Sequence, residues 1–165
     1  MHPTRTKAVA EFVLRIRPAG AADLPAVLAL YAQPGMDDGA VLPIAEAERI
    51  WARFAAYPDY TLYVAEDDTG VVGTFALLVM DNLGHLGAPS AIAEDVMVAP
   101  DRQGNGVGRQ MMRFALDRAR EKGCYKLMLS SNAKRERAHA FYDKLGFDRH
   151  GYSFRVDLQG GDDEP

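Results

Sequence analysis

The hexapeptide Gln103-Gly104-Asn105-Gly106-Val107-Gly108 constrains this chain more than any other stretch. The apolar run Val96-Met97-Val98 leads into it, and an amphipathic segment starts near Val107. Strand, glycine-rich turn and helix N-terminus together build an anion site from backbone alone. Glycine lets the chain turn its N–H groups inward, and the first helical turn adds unpaired donors at the positive end of the dipole. A pyrophosphate suits such a cradle, although a turn of this kind can also be purely structural.

Two nucleotide patterns fail here. The dinucleotide fingerprint needs glycine at its sixth position, where counting from Gly104 gives Arg109. A P-loop needs Gly-Lys-Ser/Thr, and the chain lacks that tripeptide.

A length of 165 residues suits one domain spanning 1–165, with residues 1–10 and 160–165 expected to fray. With 48% hydrophobic and 25% charged residues, the composition is that of a globular protein with a sizeable core. The apolar run Val71–Met80 is too short to span a bilayer, and Met1–Ala10 lacks the apolar stretch of a secretory signal. One cysteine, Cys124, excludes an internal disulfide and fits a reducing cytoplasm. Four scattered histidines offer no metal-binding spacing.

Charge is segregated along the chain. Residues 58–101 hold eight acids and no Lys or Arg, whereas residues 102–155 hold thirteen Lys/Arg against five acids. Two solvated faces would produce this pattern. So would a basic side for an anionic cofactor opposite an acidic side for a cationic acceptor. An acidic pI of about 5.5 and the lack of a continuous basic stripe argue against nucleic acid.

Hydrophobic periodicity orders the elements. Phe12–Arg17 alternates as a strand ended by Pro18, and a helix follows with Asp23 as its N-cap. Gln33–Pro43 is a Gly/Pro/Asp-rich mobile loop, and a second helix covers Ala45–Ala56. Tyr60–Ala65 and Val71–Met80 form a hairpin, Asp81–Ser90 is a flexible loop, and Ala91–Val98 is a strand. A helix over Val107–Lys122, a strand over Tyr125–Ser130, a helix over Lys134–Leu145 and a final strand over Tyr152–Leu158 complete the order. The pattern β-α-α-β-β-β-α-β-α-β is a mixed α/β layer structure.

A second motif lies one strand and one helix after the first. Ala138-His139-Ala140-Phe141-Tyr142-Asp143-Lys144-Leu145-Gly146-Phe147 resembles A-x-x-F-Y-x-K-x-G-F, a signature of the GNAT family of N-acetyltransferases. Gln103-x-x-Gly106-x-Gly108 resembles that family's acyl-CoA motif, Gln/Arg-x-x-Gly-x-Gly/Ala. The likeness runs from about Phe12 to Leu158. Ala93–Val98 and Gly123–Lys126 particularly resemble the branch that contains glucosamine-phosphate acetyltransferases. The resemblance implies a central mixed sheet flanked by helices, whose two central parallel strands splay apart to admit acetyl-CoA as cosubstrate, with no metal.

Site roles follow from that resemblance. Backbone groups of Met97 and Val98 pair with the pantetheine arm, and one amide there polarises the thioester carbonyl. Gln103, Gly104, Asn105, Gly106 and Gly108 wrap the pyrophosphate, and Arg109 meets a phosphate or faces solvent. Tyr142, also beside the cofactor, is the candidate general acid that protonates the leaving thiolate.

Glu94 or Asp95 can take the ammonium proton. Since strand neighbours point to opposite faces, one of them sees the acceptor, and Glu94 is the choice. His85 has a suitable pKa class but sits in an exposed loop, and a covalent acyl intermediate on Cys124 is the weaker alternative.

The loops Gln33–Pro43 and Asp81–Ser90 hold Asp37, Asp38 and Asp81 and no basic residue. They favour an uncharged or cationic primary amine, of a small molecule or peptide, attacking directly in a ternary complex. Acetylation of a phosphorylated amino sugar is the alternative, with Ser131, Asn132, Arg135 or Arg149 to hold the phosphate. A non-catalytic acyl-CoA-binding module is the other reading. No membrane or nucleic-acid partner is expected, and a homodimer is implied by family analogy.

Overall fold

Alternation of apolar side chains between two faces organises the sheet. In the computed structural model, which describes residues 14–156 and Leu158, the strands are β1 (Arg15–Pro18), β2 (Tyr60–Asp67), β3 (Gly70–Met80), β4 (Ser90–Val98) and β5 (Lys126–Met128). The helices are α1 (Leu24–Tyr31), α2 (Ile44–Phe54), α3 (Val107–Glu121) and α4 (Glu136–Lys144). Short 3-10 turns occupy Ala21–Asp23, His85–Gly87 and Pro100–Arg102. Compact units divide after Leu129, with the whole sheet and α1–α3 in the first and α4 in the second.

Sheet order is β1-β2-β3-β4-β5, antiparallel up to β4 and parallel between β4 and β5. A parallel pair needs a crossover, and α3 supplies it. On one face Val27, Leu62, Val64 and Ala76 form a buried cluster with Tyr31, Trp51 and Phe54 of α1 and α2 packed against it. The alternate residues Tyr63 and Phe75 stack at 5.2 Å on the other face, where Phe114 of α3 meets Tyr63 edge-on at 5.1 Å. Val107, Met111, Met112, Ala115 and Ala119 are the buried stripe of α3, at the 3.6-residue spacing of a core-facing helix.

Gly73 permits the close approach of that helix. A Cβ there would lie 2.5 Å from the Met111 sulfur, far inside contact distance.

Several sequence expectations need correction. Asp23 stands at the N-cap of α1 but makes no side-chain cap bond. Its carboxylate instead accepts the Gly20 N–H at 2.7 Å and two Arg17 bonds at 2.7 and 2.9 Å, while Arg17 also reaches Glu66 at 2.8 Å. Asp23 is itself helical, at φ −83° and ψ −14°, and its side chain turns back to cap the 3-10 turn that begins at Gly20. Phe12 lies outside the described residues; β1 runs through Pro18, which an edge strand tolerates.

The final strand does not form. Residues 151–156 and Leu158 carry no strand, and Tyr152, Phe154, Val156 and Leu158 are exposed. Alternation alone is insufficient without a ladder partner, and the described residues of this unit contain no other strand.

Candidate active site

β4 loses one neighbour partway along. Its pairing with β5 ends at Ile92↔Met128, yet β4 continues to Val98. No described strand covers the outer edge of Ala93–Val98. This is the splay between central parallel strands that the family resemblance implies, and it leaves a strand edge on which an extended ligand arm can pair.

The other edge of β4 carries a bulge. Thr74 faces Met97 and Ala76 faces Glu94, so Asp95 and Val96 together oppose Phe75. Asp95 sits at φ 50°, inside the left-handed region that Asp tolerates better than most residues. The bulge breaks strand alternation, and Glu94 and Asp95 are both exposed. Strict alternation therefore does not decide between Glu94 and Asp95.

Asp95 has the more unusual surroundings. Burial by neighbouring protein and the charge of Asp37 raise its carboxyl above the usual Asp value. Tyr31 is also raised, by burial first and then by Asp95, while a hydrogen bond with Thr74 opposes the shift. Burial and the charges of Asp95 and Glu94 raise Tyr60. Asp95 thus shares one electrostatic neighbourhood with Asp37 of the 33–43 segment, Tyr31 and Tyr60. The sequence put Asp37 among the loop acids that favour an uncharged or cationic acceptor and gave Tyr31 no role in the site.

That segment is a run of hydrogen-bonded turns, with Asp37 N–H donating to Tyr31 O at 3.1 Å and Gly39 N–H to Ala32 O at 2.8 Å. In the 81–90 segment the His85 ring stacks on Tyr125 at 4.0 Å. Tyr125 N–H donates to Pro89 O at 2.9 Å, which fastens this segment to the start of β5.

Beyond Val98 the chain turns through Pro100–Arg102 into the glycine-rich stretch. Gly104 and Gly106 have φ of 82° and 86°, and an added Cβ on either meets nothing within 4 Å. Gly106 is the N-cap of α3, no side chain caps that end, and the first helical bond runs from Gln110 N–H to Gly106 O at 3.1 Å. Amides of the first turn at Val107, Gly108 and Arg109 precede that bond. Open space over two left-handed glycines at an uncapped helix N-terminus suits an anion such as a pyrophosphate.

Arg102 braces the turn from behind. It pairs with Asp67 at 2.9 Å, whose side chain is only 2% exposed, and reaches Thr69 Oγ1 at 3.2 Å. Bonds from Thr69, then Arg102, lower Asp67 to a pKa of about 2. Nothing in the local sequence marks this tie, whose partners lie 35 residues apart.

In the second unit α4 carries Tyr142, whose ring lies 5.1 Å from Phe141 and 5.7 Å from Phe147. Burial raises the Tyr142 phenol, against a smaller lowering by Arg135, so it is protonated at neutral pH. Helix α4 ends with Phe147 N–H on Tyr142 O at 3.1 Å and Gly146 N–H on Asp143 O at 3.1 Å. This is the paired C-terminal bonding that a glycine past the helix end allows. Arg149 is engaged by Asp143 at 2.8 Å. Among the described residues no group of His, Cys, Asp and Glu is suited to hold a metal, and no helix is long and apolar enough to cross a membrane.

Residues 27–147 match the model of the acetyltransferase (GNAT) family, a span that includes both motifs. The chain belongs to that family and is an N-acetyltransferase by class. It is 35% identical over 88 residues to a glucosamine 6-phosphate N-acetyltransferase of Trypanosoma brucei brucei, a match covering 53% of this chain and 58% of the relative. An L-methionine sulfoximine/L-methionine sulfone acetyltransferase of Pseudomonas aeruginosa is 29% identical over 150 residues, covering 88% and 87% of the two chains. A solved Trypanosoma brucei acetyltransferase superposes with a TM-score of 0.74 at 30% identity, covering 88% of this chain and all of that one.

Proposed function

We propose that the protein transfers the acetyl group of acetyl-CoA to a primary amine of a small molecule or peptide by direct attack in a ternary complex. The observation that carries this reading is the uncovered edge of β4 running straight into the glycine turn at the uncapped end of α3. In this reading acetyl-CoA supplies the activated acyl thioester. Met97 and Val98 hold its pantetheine arm by backbone pairing, and one of their amides polarises the thioester carbonyl. Gln103, Gly104, Asn105, Gly106 and Gly108 hold the pyrophosphate, with Arg109 at the rim.

Glu94 or Asp95 accepts a proton from the arriving ammonium, and Tyr142 gives a proton to the departing sulfur. Glu94 is the choice from sequence. Asp95 competes for the role because its surroundings raise its proton affinity. The acids at Asp95 and Asp37 favour a cationic acceptor. Cytoplasmic residence, a single domain and a homodimer belong to the same proposal. The first rests on the lone Cys124, the others on chain length and family likeness.

A screen of amines with thiol release as readout tests the acceptor class. Cationic small amines or peptide amines are expected to turn over. A clear preference for phosphorylated amino sugars, the substrate named for the trypanosome relative, would favour the alternative. Thermal stabilisation by acetyl-CoA and CoA is expected as well, and stabilisation by ATP alone would remove the reading.

A further inference from the structure

Two glutamine side chains converge on one backbone oxygen. Gln33, just past α1, donates from Nε2 to Leu30 O at 3.0 Å and to Val98 O at 3.2 Å. Gln103 donates from its own Nε2 to the same Val98 O at 3.2 Å and lies 3.5 Å from Gln33 Oε1. Val98 ends the uncovered strand edge, Gln103 opens the glycine turn, and Gln33 opens the turns that carry Asp37. One carbonyl therefore joins the segments assigned to cofactor and acceptor.

We infer that Gln33 is a positioning residue that fastens the 33–40 turns to the strand carbonyl facing the acyl donor, so that cofactor occupancy tightens the acceptor side. The inference rests on the acetyl-CoA reading above. A carbonyl oxygen has two lone pairs, and both have donors here. An amide of a ligand arm pairing with Val98 must displace one glutamine. Gln103 is exposed and belongs to the turn that meets the pyrophosphate, so it is the one that leaves. Gln33 is half-buried and held also by Leu30 O, so it stays. The ligand amide takes the place of Gln103 on the oxygen, and the ligand arm shields that oxygen from water, so the Gln33 bond strengthens.

The amides of Met36 and Ala40 are hydrogen-bonded within these turns and those of Asp37 and Gly39 to Tyr31 O and Ala32 O at the end of α1, and all four report the effect. Hydrogen exchange of the full-length protein with and without saturating CoA is the test. In the wild type, CoA is expected to slow exchange at 103–108 and, by about fivefold, at 36–40, a factor equivalent to one net hydrogen bond. In Gln33→Met the response at 103–108 persists and that at 36–40 is lost. Gln33→Glu, which keeps the shape without the N–H donor, gives the same split if the Met variant is poorly folded.

A structural anchor alone would speed exchange in the variants but leave the wild-type turns indifferent to CoA. That indifference, or an equal CoA response at 36–40 in the variants, overturns the inference while the cofactor reading stands. No response at either segment removes both.

Discussion

The two motif-bearing regions are held in contrasting ways. The N-terminal half of α3 is anchored by Val107, Met111 and Met112, all at most 2% exposed, and its glycine turn is braced by the Arg102–Asp67 pair. Helix α4 has no buried residue, and its order comes from its own C-terminal bonds and a small ring cluster. In the proposed mechanism the first region grips with backbone amides, which works only if the backbone is fixed on the core. The second would supply a proton from one side chain of suitable pKa, which local packing of a single helix can provide. The comparison predicts that the first region fails through conformation and the second through chemistry.

Gly106→Val should break the first region most completely. Backbone at φ 86° resists a β-branched side chain, at a cost of about 1–2 kcal/mol. The new side chain also occupies the open space over the turn. Calorimetry should show acetyl-CoA binding lost, while circular dichroism shows a folded, somewhat less stable protein. Retained binding would mean that the pyrophosphate lies elsewhere.

Tyr142→Phe addresses the second region. Turnover should fall roughly 100-fold, within the usual range for general acid catalysis, with little change in acetyl-CoA affinity. Because the wild-type phenol is raised, loss of turnover at high pH should set in above the ordinary tyrosine value and disappear in the variant. Unchanged turnover would make Tyr142 a packing residue only.

Gly73→Ala sharpens the contrast by moving the support rather than the site. The added Cβ meets the Met111 sulfur at 2.5 Å, and Met111 is 0% exposed. A loss of about 1–3 kcal/mol is expected from overpacking, read as a lower denaturant midpoint. Acetyl-CoA affinity should fall with it, since the first turn of α3 shifts. An unaltered affinity would show that the turn tolerates movement of its base.

What was legible in the sequence follows the same division. The glycine turn and both helices were readable because positive φ and a 3.6-residue apolar stripe leave local marks at Gly104, Gly106, Met111 and Ala115. The splay of β4 from β5 came through family likeness, since nothing in Ala93–Val98 says where pairing stops. The bulge at Asp95 is set by what β3 places opposite it, so strand alternation could not say how Glu94 and Asp95 are disposed. Residues 152–156 show the converse failure, an alternating pattern that pairs with no described strand. Gln33 left no signal, because its partners are carbonyls and carbonyls have no side-chain identity.

The smallest effects come from two carboxylates on the first region that are shifted in opposite directions. Asp67, lowered to about 2 by Thr69 and Arg102, stabilises the fold when ionised. Its contribution is present above the unfolded value of 3.8 and is lost as pH falls toward 2. Asp95, raised by burial and by Asp37, is the reverse. Its ionisation is disfavoured in the fold, so it costs stability above its folded pKa, and that cost vanishes as pH falls below 3.8.

Asp67→Asn should therefore lower Tm at pH 7, and Asp95→Asn should raise it slightly. Both differences from wild type should shrink as the pH approaches 2. A carboxylate kept at a stability cost is expected where chemistry needs it, as in many active sites. If Asp95→Asn is more stable and slower while Glu94→Gln turns over normally, the proton acceptor is Asp95. If Asp95→Asn loses stability at pH 7, its carboxylate is structural and Glu94 remains the base.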